Sequence, residues 1–137
     1  MSEATRRVLV VDDAVTVRAY TRQVLEADGF VVEEAVNGIE GLERALLNPP
    51  DLLLVDVNMP KMDGYTMLRA VRREESLRAI PALMVSTEAK ESDRRKALAS
   101  GANWYLVKPA RPDALTLAAR LLTGRPVAGS APMEIGR

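Results

Sequence analysis

Histidine and cysteine are both absent from the 137 residues. Their absence removes the commonest general base, serine–histidine triads, thiolate nucleophiles and most zinc or iron sites. The chemistry left to the chain belongs to carboxylates, hydroxyls and amines. Four groups of such residues each follow directly on a short apolar run: Asp12-Asp13 after Val8–Val11, Asp56 after Leu52–Val55, Ser86-Thr87 after Ala82–Val85, and Lys108 after Trp104–Val107. Brought together, the three aspartates would repel one another. A hard divalent cation relieves that repulsion, and Mg2+ suits carboxylate and water ligands. Asp56 would then be both a ligand and a nucleophile, because a carboxylate can take a phosphoryl group as an acyl phosphate. Phosphoryl transfer needs positioning and charge neutralisation more than covalent machinery. Lys108 and the cation supply the neutralisation, and the Ser86 hydroxyl can donate to a phosphoryl oxygen.

These groups act together only if the fold brings them to one place, and the patterning says how. Val8–Val11 and Leu52–Val55 are short, continuous and apolar, as strands buried on both faces are. The second is the most apolar run and predicts a central strand. Val31–Ala35 is more polar, hence nearer an edge, and ends in the turn residues Asn37-Gly38. Pro81 opens a fourth strand over Ala82–Val85, and Trp104–Val107 is the fifth. Between them, apolar residues recur at helical spacing: Val17, Tyr20, Thr21, Val24 and Leu25, with Gly29 as a stop; Gly38 to Leu47, ended by Asn48-Pro49-Pro50; and Met67, Leu68 and Val71. A polar helix runs to Ser100 with Gly101 as its stop. Ala114, Leu117, Ala118 and Leu121 give the last helix its expected core stripe, closed by Gly124. Five repeats of strand then helix predict a doubly wound α/β fold with a parallel sheet covered on both faces. Ligands of such sheets bind at the carboxyl ends of the strands. That is where the four polar groups fall.

Length and balance fit one domain. Apolar residues make up 47% and charged residues 28%, and nineteen basic side chains cancel nineteen acidic ones. A net charge of zero argues against broad electrostatic binding of nucleic acid. No apolar run approaches the ~20 residues of a membrane helix, and Val8–Val11 is too short for a signal peptide, so no membrane insertion and a cytoplasmic location are expected. Residues 123–137 hold two prolines and three glycines and read as a flexible tail after a domain spanning 1–122. Simpler roles are open for some of the polar residues. Asp12, Asp13 or Asp56 could cap a helix, Ser86 could be a turn hydroxyl, Tyr105 could only pack, and Trp104 carries no assigned role. Arg94, Arg95 and Lys96 could form a basic patch for an acidic partner.

Four strings, VLVVDD at 8–13, LLLVDVNMPKMDG at 52–64, LMVSTEA at 83–89 and WYLVKPA at 104–110, occur in order, each at its own strand. Together they make the chain resemble the receiver domain of two-component response regulators, most closely the stand-alone chemotaxis (CheY-like) type, over roughly residues 7 to 122. The resemblance implies a flavodoxin-like fold with strand order 2-1-3-4-5 and five helices. It implies that Asp56 is the phosphoacceptor, that Asp12 and Asp13 position Mg2+ with Asp56, and that Asn58 adds its backbone carbonyl. It further implies that Ser86 is the switch hydroxyl and Lys108 the active-site lysine, with a cis Lys108-Pro109 peptide. Tyr105 is then the switch aromatic that turns inward when Ser86 moves toward the phosphoryl group, while the Asn58 and Glu88 side chains tune hydrolysis of the acyl phosphate. Two departures stand out. Ala110 lies where the family often has phenylalanine, and Ala14 where a larger residue is common.

The function so implied is that of a single-domain response regulator. A sensor histidine kinase or histidine phosphotransfer protein donates the phosphoryl group, and an effector binds the face of the fourth helix, fifth strand and fifth helix. The chain would then be no enzyme beyond catalysing its own phosphorylation and slow dephosphorylation. The alternative is a phosphorelay intermediate or phosphate sink with no effector of its own. A Mg2+-dependent phosphohydrolase for small metabolites is disfavoured, because the position two residues after Asp56, where such an enzyme would want an acidic general acid, is Asn58. No glycine-rich phosphate loop is present either.

Overall fold

The computed structural model describes residues 5–125. Its elements alternate: β1 (Arg7–Val11), α1 (Val15–Ala27), β2 (Val31–Ala35), α2 (Gly38–Leu47), β3 (Leu52–Asp56), α3 (Gly64–Arg73), β4 (Ala82–Ser86), α4 (Glu91–Ser100), β5 (Trp104–Val107) and α5 (Pro112–Thr123). The strands form one sheet in the order β2-β1-β3-β4-β5, and every neighbouring pair is parallel. This is the expected doubly wound arrangement. The polar β2 lies at one edge, and β3, buried along all five residues, lies at the centre.

Alternation along each strand sorts the apolar side chains into two cores. Leu9, Val11, Leu53, Val55 and Met84 face one way and meet Ala45, Met67, Leu68, Val71 and Ala97 from α2, α3 and α4. Val8, Val10, Leu52, Leu54, Leu83 and Val85 face the other way and meet Leu25 of α1 and Leu115, Ala118 and Ala119 of α5. The helix ends follow local rules. Asn37 Oδ1 accepts the Glu40 amide to start α2, and Asp63 Oδ1 accepts the Thr66 amide to start α3. Gly101 and Gly124 end α4 and α5 in the left-handed conformation.

One expectation is corrected. The core stripe of α5 is Leu115, Ala118 and Ala119, whereas Leu117 and Leu121 are 46% and 57% exposed. This helix carries apolar residues at helical spacing on two adjacent faces that share Ala118, so spacing alone could not say which one meets the sheet. The simpler role left open for the aspartates is not taken by any of them: none of the three is a helix N-cap. Ala14 occupies that position in α1 without a side-chain cap, and Asp63 occupies it in α3. Helix α5 runs through Thr123, and 126–137 of the expected tail lie outside the described residues. Among the described residues, no helix is long and apolar enough to cross a membrane.

Candidate functional site

The carboxyl ends of β1 and β3 are neighbours, with Val11 opposite Val55. This register brings Asp12, the residue after β1, beside Asp56, the last residue of β3. Both are buried, while Asp13 points to solvent. Carboxylate oxygens of Asp12, Asp13 and Asp56 lie within 4.8 Å of one another. Lys108, just past the end of β5, reaches across β4 to this group. Its Nζ lies 2.9 Å from Asp12 Oδ2 and 3.0 Å from Asp56 Oδ1. The Lys108-Pro109 peptide is cis, as expected.

The electrostatics follow from that arrangement. Burial pushes the Asp56 carboxyl above its ordinary pKa. The Lys108 hydrogen bond opposes this, but the charges of Asp12 and Asp13 add to the rise. For Lys108, burial acts downward and is outweighed by its bonds and charge attraction to Asp12 and Asp56, so its proton is held more tightly than usual. One ammonium therefore does not neutralise the site: three carboxylates face one lysine. The donor set fits a hard cation, with carboxylate oxygens close enough to share one ion and solvent access at Asp13 for water ligands.

The remaining expected residues lie on β5, at the end of β4 and in the loops after β3 and β4. Asn58 is exposed in the loop after β3. Ser86, at the end of β4, is fully buried, and its Oγ accepts the Glu88 amide at 3.1 Å. Its carbonyl accepts the Lys108 amide at 2.7 Å, which fixes the backbone from which Lys108 extends. Glu88 leaves its side chain in solvent. Tyr105 is 2% exposed and already turned inward, its hydroxyl donating to the Glu88 carbonyl at 2.6 Å.

Several contacts escaped the reading of the sequence. Gly64 presses on Asp56: a methyl at Gly64 would overlap the Asp56 carbonyl oxygen. The glycine of the MDG string is its only sequence signal. The Arg94 guanidinium lies 5.5 Å from the centre of the Tyr105 ring, and Lys96 covers Tyr65 at 4.6 Å. Two of the three cations of the expected basic patch therefore rest on aromatic rings. Arg95, its side chain 68% exposed, lies 3.9 Å from Glu91 of the same helix. Finally, Tyr20 donates to the Ala110 carbonyl at 2.8 Å, joining α1 to the loop before α5. Only its helical spacing was visible beforehand.

The parallel 2-1-3-4-5 sheet carries an acidic cluster at its carboxyl edge and a lysine just past its last strand. Residues 8–120 match the family model of the response regulator receiver domain. The chain belongs to that family. Over 111 residues it is 40% identical to the sensor histidine kinase CheAY of Helicobacter pylori, covering 80% of this chain and 14% of that protein. It is 37% identical over 103 residues to the DNA-binding dual master transcriptional regulator RpaA of Synechocystis, covering 75% of this chain and 43% of that protein. The chain thus spans less than half the length of each of these relatives. Among solved structures it is similar to the chemotaxis protein CheY4 of Vibrio cholerae, with a TM-score of 0.82, 34% identity, and coverage of 87% of this chain and 99% of that one. It is also similar to a CheY-like receiver domain protein of Methanospirillum hungatei, with a TM-score of 0.81, 28% identity, and coverage of 88% and 95%.

Proposed function

We propose that this chain is a response regulator whose Asp56 accepts a phosphoryl group from a phosphohistidine of a sensor histidine kinase or phosphotransfer protein. The observation that carries this reading is the position of Lys108 Nζ, 2.9 Å from Asp12 and 3.0 Å from Asp56. An Asp56 oxygen attacks phosphorus, the P–N bond to the donor imidazole breaks, and that nitrogen keeps the electron pair. Lys108 offsets the negative charge of the phosphoryl oxygens, and Ser86 donates its hydroxyl to one of them. Asp12, Asp13 and Asp56, with the Asn58 carbonyl, would hold Mg2+, which when bound adds positive charge beside the transferred group. Having no histidine, the chain cannot itself supply the phosphohistidine that donates the group. The Asn58 and Glu88 side chains flank the acyl phosphate, where they would tune its hydrolysis.

The new group adds charge and three strong acceptors at a site coupled to a movable element. Once Ser86 turns its hydroxyl to the phosphoryl group, its bond to the Glu88 amide changes. Glu88 is also the partner of Tyr105, so the change reaches the face of α4, β5 and α5. Exposed Trp104, Leu117 and Leu121 on that face support its use for an effector. A relay or phosphate sink without effector is the second reading. A partner that binds only the phosphorylated form favours the first, and rapid back-transfer to a kinase favours the second.

The test is acetyl phosphate with Mg2+ on wild type and Asp56→Asn, read by intact mass and Trp104 fluorescence. A labile gain of one phosphoryl mass in wild type alone is the expected result. No gain in a folded, Mg2+-bound wild type would overturn the reading.

A further inference from the structure

Asp12 is held at every polar atom it has. Its amide donates to the Ala35 carbonyl at 3.1 Å. Its Oδ1 accepts the Ala14 amide at 2.9 Å, and its Oδ2 accepts Lys108 Nζ at 2.9 Å. The remaining group, its carbonyl, accepts Arg18 Nη1 at 2.7 Å, the shortest of the four. Arg18 is the fourth residue of α1, a helix whose N-cap Ala14 offers no capping side chain. Its guanidinium turns back to the loop that leads into the helix. The other edge of that fork is fixed on β2: Arg18 Nε donates to Glu34 Oε1 at 2.9 Å, and Arg22 Nε donates to Glu34 Oε2 at 2.7 Å. The Arg18 side chain is only 13% exposed, so the arrangement is not a loose surface pair.

We propose that Arg18 is a positioning residue for the divalent-cation site, acting through the Asp12 carbonyl on the peptide that joins Asp12 to Asp13. The proposal rests on the reading of Asp12, Asp13 and Asp56 as Mg2+ ligands. A peptide unit is planar, so the Asp12 carbonyl and the Asp13 amide turn together. Asp13 is exposed, and the backbone that carries it therefore sets where its carboxylate stands. Three carboxylates within 4.8 Å repel one another and push that peptide outward. A bond to its carbonyl, from a fork anchored on Glu34, opposes the push and keeps the Asp13 carboxylate beside the other two. Charge alone predicts the opposite effect, since a guanidinium near the site repels a second cation. The sign of the change on removing Arg18 separates the two.

The experiment measures Mg2+ affinity for wild type, Arg18→Ala, Arg18→Lys and Arg22→Ala, from the rise in melting temperature over a Mg2+ titration with no phosphoryl donor present. Arg22→Ala removes the neighbouring bond to Glu34 and leaves the Asp12 carbonyl bonded. Arg18→Ala is expected to raise the Kd about tenfold, the scale of one hydrogen bond from a charged group. Arg18→Lys is expected to raise it about threefold, because one ammonium cannot span both acceptors, and Arg22→Ala to leave it unchanged. With acetyl phosphate, the Mg2+ concentration for half-maximal phosphorylation should rise in Arg18→Ala by the same factor, while the rate at saturating Mg2+ stays that of wild type. An unchanged or tighter Kd in Arg18→Ala overturns the proposal. Equal weakening in Arg22→Ala does so too, because the effect would then lie in holding α1 to β2. If Arg18→Ala does not fold, Arg18→Lys carries the same test, and wild-type affinity in it overturns the proposal. Wild type that does not respond to Mg2+ overturns instead the metal-site reading beneath it.

Discussion

The Tyr105 hydroxyl and the Glu88 backbone carbonyl are joined by a 2.6 Å hydrogen bond, and the amide of the same Glu88 donates to Ser86 Oγ at 3.1 Å. A buried tyrosine and a buried serine therefore hold one loop residue from its two sides. Tyr105→Phe and Ser86→Ala are each expected to cost about 1 kcal/mol in urea unfolding, the net worth of one hydrogen bond. The double variant is expected to cost less than the sum, since both bonds restrain the same loop. Strict additivity would show that the two bonds are independent.

Asp56 sets a pH dependence. Because its folded pKa is raised, its protonated form favours the folded state. That contribution is full below the unfolded value of about 4 and is lost as pH rises through the raised folded value. At neutral pH the ionised carboxyl thus burdens the fold, and Asp56→Asn should melt at a higher temperature than wild type in metal-free buffer. The gap narrows as pH is brought toward 4. A gap that stays constant over this range would contradict the assignment.

Adding Mg2+ relieves the same burden. A ligand that binds only the folded state at a hundredfold excess over its Kd stabilises by about 2.7 kcal/mol, or several degrees in melting temperature for a domain of this size. Thermal melts of wild type should therefore rise with Mg2+ and fall back with EDTA. Asp13→Asn, which removes the solvent-facing carboxylate, is expected to lose most of the response. An undiminished rise would remove Asp13 from the ligand set.

Arg72 is the structural clasp on the other side of the sheet. Its guanidinium donates twice to the Gly101 carbonyl, at 3.0 and 2.7 Å, and to the Ile80 carbonyl at 2.7 Å. It also reaches Asn103 Oδ1 at 3.2 Å. The end of α3 is thereby pinned to the turn between α4 and β5. Arg72→Ala is expected to cost about 2–3 kcal/mol in urea unfolding, the scale of lost charged hydrogen bonds. Arg72→Lys is expected to recover little, because one ammonium cannot span these acceptors.

The sheet and the site were legible in the sequence for one reason. In a parallel sheet each strand announces itself as an apolar run, and whatever polar residue follows it lies at the ligand edge. Asp12, Asp56, Ser86 and Lys108 all carry that signature. What was not legible depends on geometry across elements. The inner face of α5 was misjudged because two apolar stripes overlap at Ala118. The ring contacts of Arg94 and Lys96 depend on how α4 lies over Tyr105 and Tyr65, which no local pattern encodes. Ala110 was visible as a departure, but the bond its carbonyl accepts from Tyr20 needed α1 to be in place.

Helix α4 is held to the sheet by little. Only Ala97 and Ser100 of its ten residues are buried, and two of its cations lie over tyrosine rings instead of burying aliphatic side chains. Opening this segment therefore exposes far less apolar surface than opening α3, with its five buried residues. In native-state hydrogen exchange, the amides of α4 would lose protection well below the free energy of global unfolding, ahead of those of α3. The helix that carries Arg94 over Tyr105 is thus also the one whose sequence can drift with least damage to the rest, so a new effector could be accommodated there while the aspartates and Lys108 stay as they are.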